Sequence, residues 1–490
     1  MIYLLWLLPT LAVAAGILSG RLDTTRAALL GLVCAVPVAL ASAPLGFDAA
    51  HLVLALQRGL WIGLTITPYI LGGLLFWQVA LPGSSAPDDS AAGTPVPGTR
   101  LAQRRLVFLA CFLIGPFAES ATGFGVGMLA SVALLRRLQL GAPRLMLLAL
   151  LSQTLIPWGA MGSGTLLAAA YARVPAAALG AYSMLPIALL MLCAWLPLYW
   201  RTLNGAGLRA PLGEALLELG WVALALAALT FSTLWLGPET ALLAAFGPLI
   251  VLHVLVTERP SRRELLALAR KALPYALLIG ALVSVRLVPS IKAALLGWQR
   301  LAPYPDLPAW SPLLHAGTWL IAGALLCALL RGQTARLGGE LRSAWHTGRN
   351  AVLTVFIFSM MSEVLSIAGI SQACAAGLFA ALGGQALLLT PLIAGAFGVL
   401  ANTGNAPNSL FMSAQVTLAS QAGLSLPAVA ALQHVCATAA GLFSPVRMSI
   451  ASALCQGAGH ERAVYRALFP YAAIFLAVLT LGAVAVIRLG

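Results

Sequence analysis

Two short polar stretches interrupt long apolar runs, and their residue types suit the binding of an anion. The first is Ala118-Glu119-Ser120-Ala121-Thr122-Gly123-Phe124-Gly125, and the second is Asn402-Thr403-Gly404-Asn405-Ala406-Pro407-Asn408. Ser120, Thr122 and Thr403 offer hydroxyls; Asn402, Asn405 and Asn408 offer carboxamides. Gly123 and Gly125 permit backbone conformations closed to other residues and a close approach to a ligand. The run after each break can begin a helix whose first N–H groups point into the break and attract negative charge. Pro407 suits the first turn of the second such helix. Ser120, Thr122, Gly123, Gly125, Asn402, Thr403, Asn405 and Asn408 are therefore candidate substrate-binding residues, with Ser444 and Arg447 further along. Glu119 is the candidate proton-coupling acid, because hydrocarbon surroundings favour a neutral carboxyl. The alternative is a carboxylate that pairs with an arginine or caps the half-helix.

The breaks lie in a segment that occurs twice. Residues 115–165 contain GPFAESATGFGVGMLASVALL and then TLIPWGAMGSGT; residues 398–449 contain GVLANTGNAPNSLFMSAQVTL and then TAAGLFSPVRMS. Ala118 aligns with Ala401, Glu119 with Asn402, Gly125 with Asn408 and Leu135 with Leu418. One inserted residue later, Pro143 aligns with Pro427, Thr154 with Thr438 and Ser163 with Arg447. Each copy has a broken hairpin followed by a further span with its own break. Paired interrupted segments in two halves point to the binding site of a transporter. Irregular backbone persists in a membrane only where protein or a wet cavity satisfies it.

Composition sets the environment. Of 490 residues 61% are hydrophobic and 9% charged, against roughly 25% charged in soluble domains. The net charge of +14 comes almost entirely from Arg, since Lys occurs only at Lys271 and Lys292. The charges fall between apolar runs, where the positive-inside rule accounts for them, and nothing points to nucleic acid. The seven cysteines form no CxxC pair and mostly lie in apolar runs, as buried apolar residues do. The N-terminus lacks a basic leader and is read as the first span.

Spans are expected near 2–20, 27–43, 59–80, 145–171, 176–200, 215–235, 239–256, 273–289, 313–330, 351–370, 426–455 and 464–487. Broken hairpins are expected at 106–137 and 385–421. Residues 81–105, rich in Pro, Gly and Ser, read as a disordered loop. Arginines in 201–214, 257–272 and 331–350 place these loops on the cytoplasmic side and 290–312 outside. Few ionisable residues fall within apolar runs, and such residues are costly there. Besides Glu119 and Arg447 they are Arg286, Glu363 and His434, whose roles the sequence leaves open; Arg286 is near enough to a span end to snorkel. No Walker A motif, GxSxG motif or metal-ligand spacing occurs.

At the breaks the chain resembles the L-lactate permease family. Glu119-Ser-Ala-Thr-Gly-Phe-Gly125 resembles the family's E-G-A-A-G-F-G, and Trp158-Gly-Ala-Met-Gly162 its F-G-A-M-G. Asn408-Ser-Leu-Phe411 resembles N-A-L-F; Ser444-Pro445 and Ser449-Ile450-Ala451 resemble S-P-Q-S-I-A. The matches run from about residue 100 to the C-terminus. Two departures concern charge. Gly404 stands where the family has Asp, and Gly441 where it has Lys, while Arg447 appears just after Ser444-Pro445. The resemblance implies uptake of L-lactate, often glycolate, with protons across the bacterial inner membrane.

The expected protein is an all-α polytopic membrane protein, an inverted-repeat transporter with two broken or re-entrant helical hairpins. Residues 1–105 would hold N-terminal spans and the polar loop, 106–200 the first repeat core, 201–350 connecting spans and 351–490 the second repeat core. Its expected function is secondary active uptake of a small monocarboxylate, L-lactate or a related 2-hydroxy acid, by proton symport. Alternatives are sodium coupling, another organic anion, or a membrane transferase, which would need paired acids or histidines that are not seen. The expected partners are a small organic anion, a proton and the bilayer. No cofactor or metal is expected, and homo-oligomer assembly is left open.

Overall fold

The computed structural model describes residues 2–80, 98–123, 125–258 and 260–489. Among them every regular element is helical, and Leu301 and Trp310 form one isolated antiparallel bridge. Ten helices are long and apolar enough to cross a membrane, or 11 with Arg262–Leu287, which bends by 58° between Arg270 and Ala272. Pro274 accounts for the bend, because it has no N–H for the carbonyl one turn earlier and its ring crowds that carbonyl. The chain is a multi-pass, all-α membrane protein.

The helix Ala49–Ala80 packs along Leu337–Ile367 and Ala316–Leu330 through small residues. A Cβ on Gly59 or Gly63 would collide with Met360 or Phe356, and one on Gly317 with the backbone of Pro68. Without water between helices, such close backbone approach supplies much of the packing attraction.

Each repeat copy has a long first arm. In the first copy Arg100–Thr122 is 23 residues, with a π turn at Ala110–Ile114 just before Pro116. The missing proline N–H releases the preceding turn from regular α bonding. The break at Gly123–Gly125 leads into Val126–Leu135. In the second copy Ile370–Ala401 leads through Asn402–Gly404 into Asn405–Ala422. The sequence alignment pairs Ala118 with Ala401, but the first arm ends at Thr122 and its counterpart at Ala401. The second break thus comes one helical turn earlier than the aligned apolar residues imply.

Several boundaries differ from expectation. Helix resumes at Arg100, so the expected 81–105 loop ends by then; its residues 81–97 lie outside the described residues. The span expected at 59–80 begins at Ala49, and the one expected at 351–370 begins at Leu337, making much of the basic 331–350 loop helical. Ile370–Leu382, which falls between the expected 351–370 span and 385–421 hairpin, is an Ala-rich helix, and Pro289–Trp298 is a helix at the expected 290–312 loop. The 145–171 span divides into Ala142–Leu151 and Ser163–Ala172. Pro157 and left-handed φ values at Gly159 (73°), Met161 (47°) and Gly162 (69°) stop the helix between them.

The connection after Trp298 is tied to three helices. Arg58 donates to both carboxylate oxygens of Asp306 (3.0 and 2.7 Å) and through Nε to Glu363 (2.6 Å). Arg173 also donates to Asp306 (3.1 Å), and the Tyr304 ring lies 5.2 Å from the Arg58 guanidinium carbon. The Arg58 hydrogen bonds hold the Asp306 carboxyl below the usual range. The latch is therefore fully present above the unfolded-chain value of about 3.9 and is lost as pH falls through the lower folded value. Hydrogen exchange over 301–310, corrected for intrinsic rates, should stay slow at neutral pH and rise in strong acid. Asp306→Asn should show the fast exchange at neutral pH; unchanged protection in that variant would exclude the latch.

Candidate functional site

The first break is built around Glu119. Gly123 and Gly125 adopt φ of 73° and 82°, which end one helix and open the next. The Glu119 carboxylate accepts the N–H groups of Gly125 (3.1 Å) and Gly127 (2.8 Å). The Gln153 amide, oriented to satisfy both ends, donates to Glu119 (3.3 Å) and accepts the Met128 N–H (3.3 Å). The positive end of Val126–Leu135 thus holds an anion supplied by the protein itself. Ser120 and Thr122 donate to the carbonyls of Phe117 (2.7 Å) and Ala118 (2.9 Å), so both hydroxyls serve their own helix.

The second break is held by amides and an imidazole. Asn402 takes a left-handed φ of 55°, and Thr403 Oγ1 accepts the Asn405 N–H (3.2 Å). Asn408 Nδ2 donates to His434 Nδ1 (3.0 Å), and His434 Nε2 lies 3.0 Å from Thr165 Oγ1. The pattern fits a neutral ring that accepts at Nδ1 and donates at Nε2. Trp158 stacks on His434 at 6.3 Å between centroids and donates to Thr233 (3.1 Å). The side-chain oxygens of Asn402, Asn408 and Gln433 are buried without a hydrogen-bond partner.

The two copies exchange contacts. Gly125 of the first tip packs on Ile450 in Pro445–Cys455, the terminal helix of the second copy. The second tip packs on Ser163–Ala172, the corresponding helix of the first copy. A Cβ on Gly123 would stand 3.1 Å from the Ala160 Cβ, and one on Gly164 would stand 3.5 Å from Asn405 Oδ1. Both tips therefore reach the single stretch Ala160–Gly164.

Arg447 stands apart from the other buried charges. Ser444 caps its helix by accepting the Val446 N–H (3.3 Å). The guanidinium carbon lies 3.3 Å from where a Cβ on Gly441 would be, so the base at 447 occupies the space beside 441. It lines a cavity of about 30 Å³ with Gln153, Thr154, Pro157 and Thr438. It makes no hydrogen bond or ion pair among the described residues, and Glu119 is the charged group that acts on it. Of the sequence candidates, Glu119 and Arg447 thus interact electrostatically, while Asn402, Thr403, Asn405 and Asn408 lie on the second tip, where Asn408 bonds His434.

A larger cavity, about 720 Å³, is lined by Leu166, Ala169 and Ala170 of the Ser163–Ala172 helix. Arg286 forms an ion pair there with Glu239 instead of snorkelling, and also donates to the Leu314 carbonyl (3.1 Å). Glu363, which has no evident partner in sequence, pairs with Arg58. Sequence reasoning overlooked Arg58, Glu239 and the buried pair Arg104–Glu218 (2.7 Å). The signal was available: a charge near the start of an apolar run needs a partner on another run.

Residues 303–490 match the family model described as L-lactate permease. No curated protein matches the chain. From the Asp306 latch through the second broken hairpin, Arg447 and the last span, this chain is similar to the L-lactate permease family of membrane transport proteins.

Proposed function

We propose that the protein is a secondary transporter that takes up a small monocarboxylate, L-lactate or a related 2-hydroxy acid, together with a proton across the bacterial inner membrane. The observation that carries this reading is the unpaired Arg447 guanidinium. An ionised side chain inside a membrane bundle is costly unless paired, yet its partner here is left to a ligand. A guanidinium holds a carboxylate through two parallel hydrogen bonds. Gln153, Thr154 and Thr438 line the same space and can bond a hydroxyl beside the carboxylate. The similarity of residues 303–490 to L-lactate permeases supports the same substrate class. A cavity of about 30 Å³ holds one or two waters, so substrate entry requires the surrounding helices to separate.

Two roles are open to Glu119: coupling acid and fixed helix-end carboxylate. Two backbone N–H bonds favour the second, because they tie the carboxylate to the start of the next helix. A fixed Glu119 balances Arg447, and a substrate anion then upsets that balance unless a cation enters with it. A proton meets this need, and sodium is the competing cation.

Uptake of labelled L-lactate into proteoliposomes tests the reading. Accumulation should follow an inward proton gradient; accumulation driven by sodium alone would replace the proton, and no uptake of L-lactate, glycolate or pyruvate would overturn the function. Arg447→Lys should raise the apparent KM by about tenfold or more, because an ammonium lacks the planar fork. Arg447→Ala should nearly abolish uptake in a folded protein, whereas normal affinity there would leave Arg447 a structural role. Glu119→Gln removes the fixed charge but keeps the size, so uptake should fall by about tenfold while its dependence on the proton gradient persists. Loss of that dependence with exchange intact would make Glu119 the coupling acid.

A further inference from the structure

The cavity of about 720 Å³ is bounded by the helix Ala49–Ala80, the end of Ser163–Ala172 and the connection Pro305–Ser311. Its walls are apolar at Ile62, Ile66, Leu166 and Ala169. At its polar end the Arg286–Glu239 ion pair is exposed by only 23% and 7% at the two side chains. Tyr69 lies beside them. Its residue exposure is 6%, its ring rests 3.9 Å from His315, and its hydroxyl has no hydrogen-bond partner among the described residues. Both ring nitrogens of His315 are engaged: Nε2 with the Thr65 carbonyl (2.9 Å), and Nδ1 with the Gly317 N–H (3.2 Å). Among the described residues the unpartnered donors lining this pocket are therefore the Tyr69 hydroxyl, next to a guanidinium already holding one carboxylate, and Trp310 Nε1.

We propose that this cavity is a second carboxylate site, in which a small carboxylic acid binds as an anion and a proton: the anion displaces Glu239 from Arg286 and bonds Tyr69, and the proton goes to Glu239. The proposal rests on the carboxylate reading above and adds a separate station to it. The charges in the cavity already balance. Arg286 faces Glu239, and Arg173 faces Asp306, which shares Arg58 with Glu363. An added anion alone would leave one negative charge uncompensated beside the buried Glu239 carboxylate. With the proton on a Glu239 oxygen, the guanidinium exchanges one carboxylate for another and the net charge is unchanged. One O–H bond forms on Glu239, and the acid's own O–H, or a hydronium ion, supplies the proton.

Among the described residues, the charged groups on the neighbouring elements are engaged elsewhere, Arg104 with Glu218 among them. Glu119, on the first tip, is bound to its own amides. Arg105 and Glu214 act on His253, near the far end of the Glu239 helix. Arg173 and Asp306 are engaged at the cavity mouth. Glu239 is also joined mechanically to the central break: a Cβ on Gly162 would stand 2.7 Å from the Glu239 backbone nitrogen. A change in the Arg286–Glu239 pair therefore acts on the backbone stretch that both tips touch.

Binding of L-lactate to the detergent-purified full chain, measured by calorimetry at about pH 5.5 and about pH 7.5, tests whether a proton enters the site with the anion. Wild-type binding should weaken as pH rises. Glu239→Gln removes the competing carboxylate, so it should bind about tenfold more tightly at the higher pH and lose the pH dependence. A purely structural role for Glu239 would not tighten binding. Arg286→Gln should weaken binding by about tenfold or more at both pH values. A lone buried charge can unfold either single variant, so the double variant Glu239→Gln with Arg286→Gln removes both. Weakened binding in the double variant supports the site. Wild-type affinity in the double variant, or no tightening in folded Glu239→Gln, overturns it while the transport function stands. A wild-type protein that binds none of L-lactate, glycolate or pyruvate overturns the functional reading, and this inference with it.

Discussion

Backbone freed inside a membrane has to be satisfied by protein, and the architecture follows from meeting that demand four times. Each repeat copy breaks one hairpin tip and one following span. A freed N–H or C=O in hydrocarbon costs several kcal/mol, roughly the scale of a lost hydrogen bond without water to replace it. The first tip meets the demand with a carboxylate, since Glu119 accepts two of the amides that begin the next helix. The second uses neutral groups: Thr403 takes the Asn405 amide and Gln433 donates to the Pro407 carbonyl (3.2 Å). The breaks are thus chemically unlike although their positions correspond. One is charged and self-contained; the other is uncharged and leaves amide oxygens unmatched.

Satisfying the tips also fixes how the copies interlock. Neither hairpin can cover its own break, so each leans on the terminal helix of the other copy, and both reach Ala160–Gly164. Movement of Ser163–Ala172 away from the second tip would disturb Thr165 and His434, and through Gly159–Gly162 it would disturb the first tip. Closely packed groups of this kind exchange between discrete arrangements more readily than they deform by degrees.

Much of this was legible in the sequence because the breaks declare themselves locally. Gly123, Gly125, Asn402 and Pro407 carry conformational information wherever they occur, and the repeat doubles the signal. The register of the repeat was less legible. The alignment maximised apolar matches, whereas the position of the break is set by where the chain can turn left-handed, at Gly123 and at Asn402. Helix Ile370–Leu382 was missed because Ser371, Gln372 and its many alanines give a weak apolar signal, although alanine is the strongest helix former. Charge partners were the least legible. Arg58 and Glu363 are distant in the chain, as are Arg104 and Glu218, and only the folded bundle brings them within hydrogen-bond range. The sequence can say that such charges need partners, but it carries no local mark of which partner each finds.

The distribution of those partners separates scaffold from working parts. Arg104 is enclosed by Glu218, the Leu208 carbonyl and the Tyr199 ring, and Trp200 donates to the same carboxylate (2.8 Å). Removing one member would strand the others, so this cluster resists change. Arg58 likewise has every side of its guanidinium engaged. Arg286 and Arg447 differ by degrees. The first has one carboxylate and one carbonyl beside an idle tyrosine hydroxyl; the second has no partner within bonding distance among the described residues. Arg447 lines its cavity with Gln153, Thr154 and Pro157, where the first copy has given up helical order, and Arg286 lines one with Leu166 and Ala169 of the helix that follows. Saturated arginines sit where helices must stay together, and unsaturated ones flank the segment whose backbone is already free of regular structure. A negatively charged solute moving from one cavity to the other would therefore leave one guanidinium for another.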